Sequence, residues 1–411
     1  MGLPARATAT PKTIELMVWA GANLGSYAMA SEALQVMSGL AISDRRIRLQ
    51  IEKVGSVRID EREAAIEELK QLTLVQRRAG NPTVAAPTLA VVMMDGGRYQ
   101  RRDHFGDAVQ ADASDSTHWR ESKVGCLMSM QSEVQLIDPT PLIPDCFAHA
   151  SVVRELAKTS VKQESIDESD SMDEDLLKGP DALSASDWKP PKLLNREVVA
   201  SGKDSQAFGF HLESRAWRLN FPSASRQAFV ADGAKTNWRI QREHFPHATP
   251  IADLIHALSY VWAAALTVGT KETYQKWAQL IWQGDVALVL AQLEQQQSPA
   301  TDAPSESSAI VTEDSSDSVT RCRTYLSNNA SHMNYPLYRQ QGLPITSSHM
   351  ESMIKPINRR IKGTEKFWLV ETSECVLQLR ADYLSQSQPM INFWKRWQAE
   401  HNGSNAYKTA C

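Results

Sequence analysis

Hydrophobic and polar positions along the chain fall into patterns that change abruptly, and each pattern predicts a different element. Between 29 and 55 they predict two short helices about a turn. The first runs through Ala33, Leu34 and Met37 and stops at Gly39, because glycine accepts the left-handed conformation that closes a helix. Ser43 is placed to cap a second helix carrying Arg45, Arg46 and Arg48. This is the outline of a helix-turn-helix whose second helix offers arginines to a groove. An ordinary helical hairpin with a solvated basic face has the same outline. A charged amphipathic helix is expected over 59–79.

The pattern then becomes a continuous apolar run, Leu89-Ala-Val-Val-Met-Met94, ending at Asp95. A run of this length between polar residues predicts a buried strand. Gly96-Gly97 is expected to turn the chain, with further strands at 98–102 and 122–130 and a short one at 134–138. Helices are expected over 145–158 and near 195. A short strand, Ala228 to Ala231, leads into Asp232-Gly233. The segment 251–295, dense in Ala, Leu and Trp, reads as helical, and so does most of the chain from 320 onward. No internal repeat is present.

Composition alters this picture in two places. A length of 411 residues suffices for two or three domains, and the net charge of −4 argues against a nucleic-acid binder only until it is divided along the chain. Residues 158–187 hold three lysines against nine acids, and 295–319 hold five acids with no lysine or arginine. From 320 to the end, twelve basic residues face six acids. Two acidic stretches thus mask a basic C-terminal part of the kind that faces phosphates. Those stretches, 158–190 and 295–319, bury too little apolar surface to offset their ordering entropy and are expected to be disordered loops.

The five cysteines are scattered, without a C-x-x-C. That argues against a zinc ribbon or a disulfide scaffold and for a reduced, cytoplasmic protein. Glu15 interrupts the first apolar stretch, so no signal peptide is expected. The most apolar later stretch, 251–268, contains Asp253 and His256 and is too short and polar to span a membrane.

Candidate chemistry lies in three carboxylates. Asp95 and Asp232 each end an apolar strand and precede glycine. Such an Asp-Gly pair is ordinarily only a turn. On neighbouring strands, however, the two carboxylates meet at one sheet edge, and hard Mg²⁺ takes oxygen ligands of that kind. Glu351 lies in Ser347-Ser-His-Met-Glu351, where a capping serine sets it in the first turn of a helix. Lys355, Arg359, Arg360 and Lys362 follow within about three turns. A carboxylate beside cations suits a place where metal and phosphate backbone meet. A dipole-favoured glutamate on a solvated basic face has the same local sequence.

In their order, these pieces resemble the DDE transposases of bacterial insertion sequences, specifically the Kra group, related to the Mutator-like transposases. The matching motifs are Asp95-Gly-Gly-Arg98, Trp119-Arg-Glu121-Ser-Lys123-Val-Gly125 and Ala231-Asp232-Gly233-Ala234-Lys-Thr-Asn-Trp238. They continue with Asp253-Leu-Ile-His256, His349-Met-Glu351-Ser352 and Asn358-Arg-Arg-Ile-Lys-Gly363. Together they cover about 88–400.

The resemblance implies an α/β, ribonuclease-H-like fold: a mixed sheet flanked by helices, with a helical insertion. It divides the chain into a helical DNA-binding region (1–85), a first catalytic part (86–256), the insertion (257–345) and a C-terminal part carrying the glutamate (346–411). It implies a metal triad of Asp95, Asp232 and Glu351, separated by 137 and 119 residues, holding two Mg²⁺ or Mn²⁺ ions. Such ions lie roughly 4 Å apart and serve water attack and strand joining without a covalent protein intermediate. Asp253 and His256 match a D-x-x-H signature, expected on one helical face in a supporting role. The implied partners are terminal-repeat and target DNA, and a second copy of the chain holding the other end. Two rivals use the same residues: a nuclease sharing the fold, and an inactive or domesticated copy that only binds DNA. Pro356, five residues past Glu351, is expected to kink its helix.

Overall fold

The computed structural model describes residues 9–102, 118–148, 189–295, 313–363 and 365–401. Six strands form one mixed sheet: β1 (Leu89–Arg102), β2 (Trp119–Gln131), β3 (Lys192–Ser201), β4 (Arg226–Ala231), β5 (Thr249–Ala252) and β6 (Phe367–Leu369). The order is β3-β2-β1-β4-β5, with β6 pairing the far end of β1. β2 runs antiparallel to β1, and β3 to β2. β4 and β6 run parallel to β1, and β5 parallel to β4. Leu89 to Met94 are all buried, so both faces of β1 are covered there. That is why the segment reads as an unbroken apolar run and not as an alternation.

β1 departs from expectation at its glycines. The strand continues through Gly96 and Gly97, which pair with Lys123 and Ser122, to Arg102. A Cβ on Gly97 would lie 2.5 Å from Asn358 Oδ1, on α13 (Ser348–Ile361). The glycine therefore serves close approach of a helix, not a turn.

Three other predicted elements need correction. The segment near 195 is not helical; it is the edge strand β3, and the helix that follows, α6 (Ser205–Arg218), begins ten residues later. No strand forms at 134–138, where Asp138 instead accepts from the buried Arg339 (Nε to Oδ1, 2.9 Å). The first residues of the helical segment 251–295 complete β5.

Of the two acidic stretches, 158–188 and 296–312 lie outside the described residues, as does the expected helix of 145–158 beyond α5 (Asp145–Ala148). Residues 313–319, expected in a loop, are helical.

At the N-terminal side stand α1 (Pro11–Asn23), α2 (Tyr27–Ser38), α3 (Asp44–Gln71) and α4 (Leu74–Ala79). Gly39 ends α2 at φ 66°, and the Ser43 hydroxyl accepts the Arg46 N–H at the head of α3, both as the sequence predicts. The helices expected to 55 and over 59–79 are, however, a single rod ending at Gln71, with α4 beyond it. Gly55 in its middle is a contact point, because a Cβ there would come within 2.4 Å of Cys375 Cβ on α14 (Val370–Leu384). Met17, Ala20, Ala30, Leu34, Ile42 and Ile47 make a small cluster of their own, whereas Val18, Ile51 and Val54 join the core of the sheet. The N-terminal helices thus pack into the body of the molecule.

Between β5 and α13 the regular elements among the described residues are helical: α8 (Leu254–Val268), α9 (Lys271–Trp282), α10 (Val286–Gln295), α11 (Glu313–Asn329) and α12 (Tyr335–Gln340), with one 3₁₀ turn. The remaining helices are α7 (Lys235–His244), after β4, and α15 (Pro389–His401), after α14. No described helix is long and apolar enough to cross a membrane. Cys126, Cys146, Cys322 and Cys375 are free thiols.

Candidate active site

The register of the parallel strands places three aspartates in a row. Met94 pairs with Ala231, and Ala231 with Ala252. The next residues are Asp95, Asp232 and Asp253. Because side chains alternate along a strand, residues at equivalent positions of adjacent parallel strands leave on the same face. The Asp253 N–H donates to the Ala231 carbonyl at 2.9 Å, extending the ladder by one rung. The apolar runs before each aspartate are buried, so the sheet itself fixes where the carboxylates emerge.

Each aspartate is held differently. Among the described residues, Asp95 Oδ1 accepts only the neighbouring Gly96 N–H, at 2.6 Å. Burial pushes its carboxyl up to about 7, and the charge of Asp232 adds to the effect, against the pull of the Gly96 N–H and His256. Asp232 Oδ1 accepts the Ala234 N–H at 3.0 Å and Asn237 Nδ2 at 2.7 Å. It therefore also makes the turn into α7, as an Asp-Gly pair commonly does. Gly233 has φ 97°, and a Cβ there would meet Asn329 Nδ2 at 2.7 Å. α11 is thereby pressed close over the turn.

Asp253 is a clasp. It is the N-cap of α8, accepting the backbone N–H groups of Ile255 and His256, each at 3.3 Å. It also accepts the Ser347 N–H and hydroxyl, both at 2.9 Å. Burial raises its carboxyl, and these bonds pull it back. The expected helical face shared by Asp253 and His256 is thus corrected: Asp253 stands before the helix and receives the backbone of His256. Ser347 is corrected with it, because its hydroxyl does not cap α13 but binds Asp253. The consequence is that the start of α13, and with it Glu351, is tied to the sheet beside the aspartates.

Glu351 lies in the first turn of α13. Burial raises its carboxyl to about 7; Asp253 and Asp95 push the same way, while Lys355 and His256 oppose. The ring of His256, half-buried, lies 6.1 Å from that of Tyr260, which stacks on Tyr325 at 4.3 Å. His256 thus shares one electrostatic field with Asp95, Asp253 and Glu351. α13 runs on through Pro356 to Ile361.

The basic residues divide. Lys355 and Arg359 are exposed at four and eight residues from Glu351, along one side of the helix. Lys362 is partly buried just past its end. Arg360 is not on the open basic face; it is buried, 2% exposed, between aromatic rings. On α3, Arg45 and Arg48 are exposed and Arg46 is partly buried. From the sequence Ser347 has only a capping role and Asn237 none; that Ser347 binds Asp253 and Asn237 binds Asp232 emerges from the structure.

The donor set fits a hard divalent cation in kind and charge. All three candidate ligands are carboxylates, two of them raised by crowding and burial, and no Lys or Arg among the described residues ion-pairs with them. As the side chains stand, no three His, Cys, Asp or Glu residues among those described are close enough together to enclose an ion. The two aspartates are brought side by side by the strands, whereas Glu351 is held near them without closing the set. Comparison with protein-family models and with curated proteins returns no match.

Proposed function

We propose that this chain is a metal-dependent DDE transposase of a bacterial insertion sequence, acting on DNA in the cytoplasm through Asp95, Asp232 and Glu351. The observation that carries the reading is the pairing of Met94 with Ala231, which puts Asp95 and Asp232 at equivalent positions on adjacent parallel strands, with Glu351 in the same electrostatic field. A mixed sheet flanked by helices is in keeping with a ribonuclease-H-like catalytic domain.

In this reading Asp95, Asp232 and Glu351 are the residues that would hold two Mg²⁺ or Mn²⁺ ions. Bound ions supply a nucleophile at neutral pH and neutralise charge on the phosphate. Asp253 positions Glu351 by way of Ser347. His256 adds a nearby ring that favours the ionised carboxylates, and Lys355 and Arg359 meet the backbone of the DNA. Two copies of the chain hold the two ends of the element.

The test is a strand-transfer assay with purified protein, Mg²⁺ or Mn²⁺, and DNA carrying the ends that flank the gene. Joined products are expected, lost in Asp95→Asn, Asp232→Asn and Glu351→Gln while DNA binding persists. Cleavage without joining replaces the reading with a nuclease of the same fold. A second reading, a domesticated copy that binds DNA without cutting it, draws on the failure of the three acids to converge as they stand. Metal-independent binding with no cleavage establishes it.

A further inference from the structure

The loop between β2 and α5 is built inside out. Its backbone is fastened to the helical lobe by polar side chains that point inward. Arg226 Nη2 donates to the Ser132 carbonyl and the Gln135 N–H to the Gln340 carbonyl, both at 2.8 Å. Gln340 Nε2 donates back to the Leu136 carbonyl at 2.5 Å, and Arg339 holds Asp138. Trp282 Nε1 donates to the Thr140 carbonyl at 2.7 Å. The Gln279 amide bridges the Pro141 carbonyl, at 3.0 Å, and the Ile143 N–H, at 2.9 Å. Pro139 and Pro141 fix two further backbone angles.

The apolar side chains point outward. Val134 is 62% exposed, Leu136 95%, Ile137 78% and Leu142 72%. Leu337, 40% exposed, stands one turn before Gln340 on α12 and so faces the same loop. Turning these side chains inward would break the bonds that hold the backbone. The open apolar surface is therefore set by the fold and is not the chance posture of a loose segment. The five side chains offer on the order of 600 Å², the upper end of what a monomer leaves open.

Place and charge narrow the occupant. Met130 pairs with Leu89, and Asp95 lies six residues farther along β1, about 20 Å away. The loop thus leaves the sheet at the end opposite the carboxylates. Between 134 and 144 the only charge is Asp138, which Arg339 neutralises. Nothing in this stretch attracts a phosphate backbone or an anionic lipid surface. An uncharged apolar patch is, however, complementary to itself, and a twofold axis can lay it on its own copy without opposing like charges. Two such patches bury about 1,200 Å², the lower bound for a specific interface.

We propose that this loop is the contact between two copies of the chain, patch against patch, with each copy's acids at the far end of its sheet. The inference rests on the two-copy part of the reading above and names its surface, but it needs neither DNA nor metal.

The test is sedimentation equilibrium of the full chain in EDTA without DNA, at concentrations on the order of 1–100 µM, where an interface of this size is expected to form. A monomer–dimer equilibrium is expected. Leu136→Glu with Ile137→Glu, both at exposed positions, is expected to weaken it at least about a hundredfold, because like charges then face each other across the axis. The thermal midpoint is expected to stay unchanged. Val36→Glu, on the exposed side of α2, is expected to leave the dimer intact. In the native protein, hydrogen exchange of residues 134–142 is expected to slow as concentration rises. A native protein that stays monomeric overturns the proposal. If residues 134–142 are protected in that monomer, the chain covers its own patch; if it floats with phosphatidylcholine vesicles, lipid does. A dimer that survives the double substitution, or that Val36→Glu abolishes, also overturns it. A dimer formed through the loop by a protein that fails the strand-transfer assay keeps this inference and removes the catalytic one. Strand transfer by a protein that pairs only on DNA does the reverse.

Discussion

Asp95 is held in the folded chain at a cost, and removing its charge is predicted to stabilise the protein. Its carboxyl is displaced from 3.8 to about 7, chiefly by burial and then by Asp232. The folded state therefore binds the proton more tightly than the unfolded chain does. Where the folded pKa lies above the unfolded one, stability falls as pH rises between the two and stays low above them. The window here runs from about pH 4 to about pH 7. At about 1.4 kcal/mol per pH unit, the penalty is on the order of 4 kcal/mol, and partial exposure of the group reduces it to roughly 2–3 kcal/mol. Asp95→Asn keeps the oxygen that accepts the Gly96 N–H and discards the charge. An unfolding entropy of about 2 cal/mol/K per residue converts the gain to roughly 2–3 °C for a chain of this size. Thermal unfolding followed by circular dichroism in EDTA, at pH 8 and at pH 4.5, measures it. A higher midpoint is expected at pH 8 and little change at pH 4.5. A loss at pH 8, or an equal gain at both, refutes the reasoning.

Mn²⁺ at pH 8 is expected to raise the midpoint of the native protein by relieving the same repulsion; a shift of equal size in an Asp95→Asn, Asp232→Asn double variant places the ion elsewhere. Asp253→Ala leaves the Ser347 N–H and two helix N–H groups without their acceptor, so a loss of about 2–4 kcal/mol is expected in urea titration, and a loss below 1 kcal/mol contradicts the clasp. Gly97→Ala drives a methyl to within 2.5 Å of Asn358 Oδ1 and is expected to cost about 1–3 kcal/mol. Adding Asn358→Ala should recover part of that, and additive losses would show that the two positions do not touch.

What could be read from the sequence was whatever local pattern controls. The buried runs before Asp95 and Asp232 carry their own signal, and so do Gly39 and Ser43 at the helix ends. Long-range contacts defeated the rest. β3 passed for a helix because Asn195-Arg196-Glu197 resembles an exposed helical turn. In the structure Glu197 is fully buried and paired with Arg215 of α6. No contact is legible at Gly55, where the first expected helices end, and Gly96-Gly97 reads as a turn because glycine marks turns more often than contacts. Their reasons lie 320 and some 260 residues away in the chain, in Cys375 and Asn358. For the candidate site, the two strand-end aspartates were legible and the manner of holding Glu351 was not. Ser347 looked like a helix cap, and nothing local says that its hydroxyl turns to Asp253.

That bond also bears on how the chain tolerates change. Asp253 and Ser347 are 94 residues apart, and the described helices between them leave and return beside this one carboxylate, where the Leu254 N–H also donates to the Ile345 carbonyl. The intervening helices form a lobe pinned at its base and packed along its flank, through Trp282 and Arg339, onto Thr140 and Asp138. The entropy of closing such a lobe rises only with the logarithm of its length. Additions or deletions at the lobe's periphery therefore alter its outline while the glutamate stays registered against the strands. Two parts of one site can drift apart in sequence without parting in space.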